Sequence, residues 1–143
     1  MKSVNQFTII LIVVLLLSSC SRSYDANEAI QRGDIVDLHG EITNAERLDE
    51  FIYNIQEHVK DSIRITRYTI EGDPIYYDFS YNGKNIKYKF DNSNDNYGSS
   101  NVSSTVCNNF TKNINGTIIE YKLDNCTGEN AELGSHFSFE IRQ

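Results

Sequence analysis

The apolar positions of this chain fall into three regimes, and each limits what its stretch can be. Residues 7–17 form an unbroken greasy run behind Lys2. Between residues 43 and 60, Leu48, Phe51, Ile52, Ile55 and Val59 recur at three- and four-residue steps, which is one stripe of a helix. Past residue 62 the period drops to two, and β-branched and aromatic residues predict strands to the end of the chain.

The helical part carries start and stop signals. Asp25 followed by Glu28 predicts a short first helix that Gly33 ends. Thr43 with Glu46 predicts a capping box opening the long helix, and Lys60 near its end suits the helix dipole. Residues 34–40 between them read as an extended connector.

In the strand part, Glu71-Gly72-Asp73-Pro74 is a turn. Residues 75–81 and 84–90 flank Asn82-Gly83, the sequence of a two-residue hairpin turn. Such a turn sets the register. It places Ile75 opposite Phe90, Tyr77 opposite Tyr88 and Phe79 opposite Ile86 on an apolar face. Tyr76 with Lys89, Asp78 with Lys87 and Ser80 with Asn85 fall on a polar one. The strand over 63–70 is less regular, because Ile63 and Ile65 share one parity while Tyr68 and Ile70 share the other. Either both its faces are covered or a bulge near Arg67 swaps them.

A polar stretch over 91–104 follows. A second hairpin over 106–123, turning at Asn115-Gly116, comes next. A last strand over 136–142 points Phe137, Phe139 and Ile141 inward. The expected fold class is α+β, with one or two N-terminal helices packed on an antiparallel β-meander of about six strands. Cystatin-like and related helix-plus-sheet folds are analogies only.

The apolar run at the start ends in Leu17-Ser18-Ser19-Cys20, the pattern of a lipoprotein signal. It is about half the roughly 20 residues that a membrane span needs. Ser-Ser-Cys-Ser-Arg-Ser follows it, with no stop-transfer cluster of lysines. A plain secretory signal with an incidental cysteine is the rival reading. The expected division is a signal peptide over 1–19, a lipidated tether over 20–24 and a single domain over 25–143. Cys20 would carry the lipid, palmitate-type chains included. Two or more acyl chains make anchoring stable where one is marginal. The expected location is the extracytoplasmic face of the cell membrane, with the membrane as a partner through Cys20.

Three cysteines are present, so Cys107 and Cys126 remain once Cys20 is assigned. An even pair in an exported domain reads as a disulfide. Metal sites want further His or Cys at short spacing and a redox pair wants Cys-x-x-Cys, and neither is found here. Closing a loop of about 20 residues contributes on the order of 3 kcal/mol.

Acidic residues outnumber basic ones by 20 to 13, a net charge of −7, and no basic stripe is present to meet phosphates. Nucleic acid is therefore excluded as a partner. No phosphate loop, nucleophile elbow or Ser/His/Asp spacing appears. His39, His58 and His136 lie in three elements without metal-ligand spacing, so neither a metal nor a cofactor is expected. Residues 91–98 resemble half of a calcium loop, but Val102 stands where the closing glutamate belongs, and a solvated loop is the better reading. The sequons at Asn101, Asn109, Asn115 and Asn125 read as by-products of an Asn- and Ser-rich composition. Tyr76 and Tyr81 are expected to be exposed. With Asp78, Asp91 and Asp95 they make up the candidate binding surface.

The run Arg64-Ile-Thr-Arg-Tyr-Thr-Ile-Glu-Gly-Asp-Pro-Ile-Tyr-Tyr-Asp is followed by Tyr81-Asn-Gly-Lys and Asp91-Asn-Ser-Asn-Asp. Gly33-Asp-Ile-Val-Asp-Leu-His-Gly40 precedes it and Ser104-Thr-Val-Cys107 comes after. Together they resemble small lipoproteins of Gram-positive, Bacillus-like bacteria, a family described as domain of unknown function 4362. The resemblance covers residues 26–126 and implies an extracytoplasmic, membrane-anchored single domain. It supplies no activity and no catalytic residues.

Three functions compete. The first is a non-catalytic lipoprotein, expected to be monomeric, that binds a protein or envelope polymer through the polar sheet face or the 91–104 loop. The second is a hydrolase assembled from scattered acids and His39, and the third is an inhibitor or immunity factor. A deep pocket with two close carboxylates or a His–acid pair would favour the enzyme, and a tyrosine-lined patch would favour binding.

Overall fold

The computed structural model describes residues 25–143, so the expected signal peptide and lipidated Cys20 tether lie outside the described residues. Helix α1 (Ala26–Gln31) starts where Asp25 accepts the Asn27 N–H at 2.8 Å. It ends at Gly33, whose φ of 87° only glycine takes without strain. The next stretch, read as a connector, is a small hairpin. Strand β1 (Ile35–Leu38) pairs antiparallel with β2 (Glu41–Thr43) across His39 and Gly40, both at positive φ.

Helix α2 (Glu46–Gln56) begins later than the capping box predicts and ends earlier. Thr43 is spent on β2, and the cap residue Ala45 has no side chain to bond the first turn. Asn44, at φ 58°, anchors the entry instead, giving its amide to the carbonyls of Ile30 and Asp34. His58, also at positive φ, lies past the helix, as do the half-exposed Val59 and Lys60. Leu48 and Phe51 are fully buried, and Ile52 and Ile55 pack beside them as the stripe requires.

From there β3 (Asp61–Tyr68), β4 (Pro74–Tyr81), β5 (Ile86–Asp91) and β6 (Val102–Cys107) form an antiparallel meander. β1 joins its open edge parallel to β3, with α2 in the crossover, so the large sheet runs β2-β1-β3-β4-β5-β6. The chain then passes at Asn108 into a second sheet, β7 (Asn109–Asn115), β8 (Ile118–Asp124) and β9 (Ser138–Arg142). A third helix, α3 (Ala131–Ser135), lies between β8 and β9. The α+β class therefore stands, with strands divided between sheets of six and three. The hairpin expected over 106–123 is split, since Val106 and Cys107 belong to the large sheet and only β7–β8 form the hairpin.

The β4–β5 register is displaced by two residues from expectation. Tyr77 faces Phe90, Asp78 faces Lys89, Phe79 faces Tyr88 and Tyr81 faces Ile86. Asn82 closes a four-residue loop, its Oδ1 accepting from the N–H groups of both Lys84 and Asn85, with Gly83 at φ 94°. A shift of two keeps parity, so each side chain stays on its expected face. The irregular β3 is settled too: it pairs with β4 residue for residue, without a bulge, and both its faces are covered. Ile63 and Ile65 face the main core, while Tyr68 packs under α1 with Ala29 and Val36.

The main core is shared by α2 and both sheets. Phe79 stands at its centre, with ring centroids 4.9 Å from Phe137, 5.1 Å from Tyr88 and 5.3 Å from Phe110. Cys107 and Cys126 are joined by a disulfide, their sulfurs 2.06 Å apart. Among the described residues no helix is long and apolar enough to cross a membrane.

Candidate functional site

Of the five residues expected to form a binding surface, Tyr76, Asp78 and Asp91 share one face of the large sheet, with Tyr76 directly opposite Asp91, while Tyr81 is on the core face and Asp95 lies in the loop after β5. Tyr76 and Tyr81 are buried, at 8% and 4% exposure, which corrects the expectation that both are exposed. Tyr76 lies beneath the Arg64 guanidinium, 4.7 Å from ring centroid to Cζ. Tyr81 is on the core face, where its hydroxyl meets His58 Nδ1 at 3.2 Å. Asp78 takes two hydrogen bonds from Arg64 across the β3–β4 pair, and Asp91 takes one from Lys89 at 2.8 Å. Asp95 accepts from the N–H groups of Tyr97 and Gly98 within its own loop. Bonds from Asn96 to Asp73 fasten that loop to the preceding turn. Among the described residues no group of three His, Cys, Asp or Glu could hold a metal ion.

Besides an open polar hollow of about 670 Å³ beside α3, lined by Asn101, Ser103, Asn130 and Glu132, two concave regions stand out among the described residues. The outer face of the large sheet has a groove of about 490 Å³ that includes Asp34, Arg64, Asp78 and Ser80. Its charges are already matched: Arg64 holds Asp78, and Thr66 donates to Asp34 at 2.8 Å. A ligand there would have to displace made bonds.

The second region opens between the sheets at the end where β3 finishes, a cavity of about 300 Å³. Tyr77 and Tyr88 from the large sheet and Phe137 and Phe139 beside and within β9 make its walls. Leu133 and His136 reach it from α3 and its C-cap. The rings meet edge to face or tilted, Tyr77 with Phe90 at 5.4 Å and with Phe137 at 5.9 Å, so they leave a wedge. Burial pushes the Tyr77 hydroxyl above the ordinary phenol value and the Tyr88 hydroxyl well above it, so both stay protonated.

Arg67 stands among these rings. Its Cζ lies 5.7 Å from the Tyr77 centroid and 5.5 Å from that of Phe139, so one cation bridges the two sheets. Its Nε donates to Asp37 Oδ2 at 2.7 Å, and Asp37 Oδ1 in turn accepts the Gly40 N–H at 2.8 Å. No Asp or Glu lines the cavity among the described residues.

The three histidines are dispersed as expected, with His39 Nε2 at the Thr69 carbonyl, 2.9 Å away, and only His136 at the cavity. Arg67 was missed as a site residue, although the strand period carried the signal. It has the inward parity of Ile63 and Ile65, and Asp37 has that of Ile35 on the neighbouring strand. Paired opposite charges at core-facing positions are the mark of a partly open interior.

Comparison with curated proteins and with solved structures gives no match. A family model does match, over residues 32–122. Arg67, Tyr77, Tyr88 and Phe90 fall inside that span, and the walls from α3 and β9 lie beyond it. Because the matched span is more than half of the chain, the protein belongs to the family described as Domain of unknown function (DUF4362).

Proposed function

We propose that this protein is a non-catalytic binding module, lipid-anchored through Cys20 on the extracytoplasmic face of a Gram-positive cell membrane, which holds a small apolar ligand between its two sheets. The anchor rests on the Leu17-Ser18-Ser19-Cys20 pattern and on the likeness to small Gram-positive lipoproteins. The binding role rests on the inter-sheet cavity. Its aromatic walls give an apolar body a surface to leave water for, and its volume is in the range of small-ligand sites. No Asp or Glu is among the cavity's lining residues, and three carboxylates a hydrolase could use are each held by a cation: Asp78 by Arg64, Asp37 by Arg67 and Asp61 by Arg47.

Equilibrium dialysis of the folded protein with neutral 1-naphthaleneacetamide tests this reading. One saturable site is expected, and Leu133→Trp, which fills the cavity from α3, should abolish it. Partition that is non-saturable, or unchanged in Leu133→Trp, would overturn the reading.

A further inference from the structure

The cavity proposed above as a ligand site has one fixed charge among its lining residues, and that charge is positive. Arg67 carries five guanidinium N–H donors, of which the bond to Asp37 engages the one on Nε. The same guanidinium lies over the Tyr77 ring, and the Arg67 side chain is 39% exposed. Asp37 is itself only 7% exposed and is pinned by the Gly40 N–H, so it cannot swing to cover the remaining donors.

An acidic chain with net charge −7 repels anions at long range, so a local cation has to decide what enters. At physiological salt, charges farther than about 8 Å are largely screened, which leaves the Arg67–Asp37 pair as the local charges, and of the two only Arg67 lines the cavity. Planar guanidinium donors match a carboxylate two at a time, and the surrounding rings suit a flat apolar body.

We infer that the ligand is a small, flat apolar acid, its carboxylate on the donors of Arg67 not used by Asp37, its ring system between Tyr77, Tyr88 and Phe137. Leu133 and His136 on the α3 side close over the apolar end. This inference rests on the cavity being the ligand site and adds the ligand's charge.

The test compares 1-naphthaleneacetate with its neutral amide by equilibrium dialysis, two ligands of one shape that differ in charge. The acid should bind roughly tenfold more tightly than the amide, the ratio expected of one charge-assisted hydrogen-bonded pair. Asp37→Asn frees more of Arg67 while keeping an acceptor for the Gly40 N–H. It should tighten the acid further and leave the amide unchanged. The double variant Asp37→Asn/Arg67→Gln leaves no buried charge unpaired and should bind acid and amide alike. If the wild type binds both equally, or the preference survives in the double variant, the inference is overturned while the cavity stands as a site. If neither ligand binds, the cavity reading fails and the inference fails with it.

Discussion

At the last residue of β5, Asp91 is held well below the ordinary carboxylate value of 3.8, at about 2. The Lys89 ammonium, 2.8 Å away, is the larger cause, and the Ser93 hydroxyl and N–H add to it. The folded state therefore binds this proton less readily than the unfolded chain. Its contribution to stability is complete above about pH 4 and is lost as pH falls through 2. Asp91→Asn should cost about 1 kcal/mol at neutral pH. It should also flatten the decline in stability between pH 4 and 2, as urea melts at several pH values would record. Equal slopes for wild type and variant would mean that the Lys89 bond does not form in solution. Asp91 also marks how far single residues were legible. Its place at the end of the loop was plain from composition, but its partner was not. Two residues of register separate Lys89 opposite Asp78 from Lys89 opposite Tyr76, and only the Asn82 loop geometry decides between them.

Helix α3 packs on the disulfide through Gly134, which is buried against both sulfurs. A β-carbon at that position would stand 2.7 Å from Cys107 Sγ and closer still to Cys126 Sγ. Neither sulfur can yield, because the bond between them spans β6 and the start of the α3 loop. Gly134→Ala should therefore destabilise the protein by about 1–3 kcal/mol, although alanine favours helix more than glycine does. In a Cys107→Ala/Cys126→Ala background the penalty should shrink, and a double-mutant cycle in guanidinium melts measures the difference. Equal penalties in both backgrounds would show that the helix does not rest on the sulfurs. No periodicity announces an element of five residues, which is why α3 was illegible in the sequence while the three-turn stripe of α2 was clear. Elements with their own pattern were read correctly: α1 with its Asp25 cap, the faces of β4 and β5, and the aromatic alternation of β9. Those settled by a distant partner were not. The parallel pairing of β1 to β3 and the passage from β6 to β7 at Asn108 depend on contacts that no local window contains.

For the molecule as a whole, the position of the core decides what the anchor can and cannot affect. Phe51, Phe79, Phe110 and Phe137 tie α2 and both sheets into one cluster, and the disulfide closes over its edge. All of these lie within the described residues 25–143. Under the proposed anchoring, residues 20–24 would span at most about 17 Å when fully extended, enough to hold the domain beside a bilayer. The proposed attachment should then be separable from folding, and a single substitution tests both. Cys20→Ala, expressed in a Gram-positive host, should move the protein from the membrane fraction to the medium. Its melting temperature and its binding of 1-naphthaleneacetate should stay within error of a wild-type domain cut free of its lipid. Retention of the variant in the membrane pellet would show that the lipid is not what holds the protein there. A lowered melting temperature would show that the first residues contribute to the core after all.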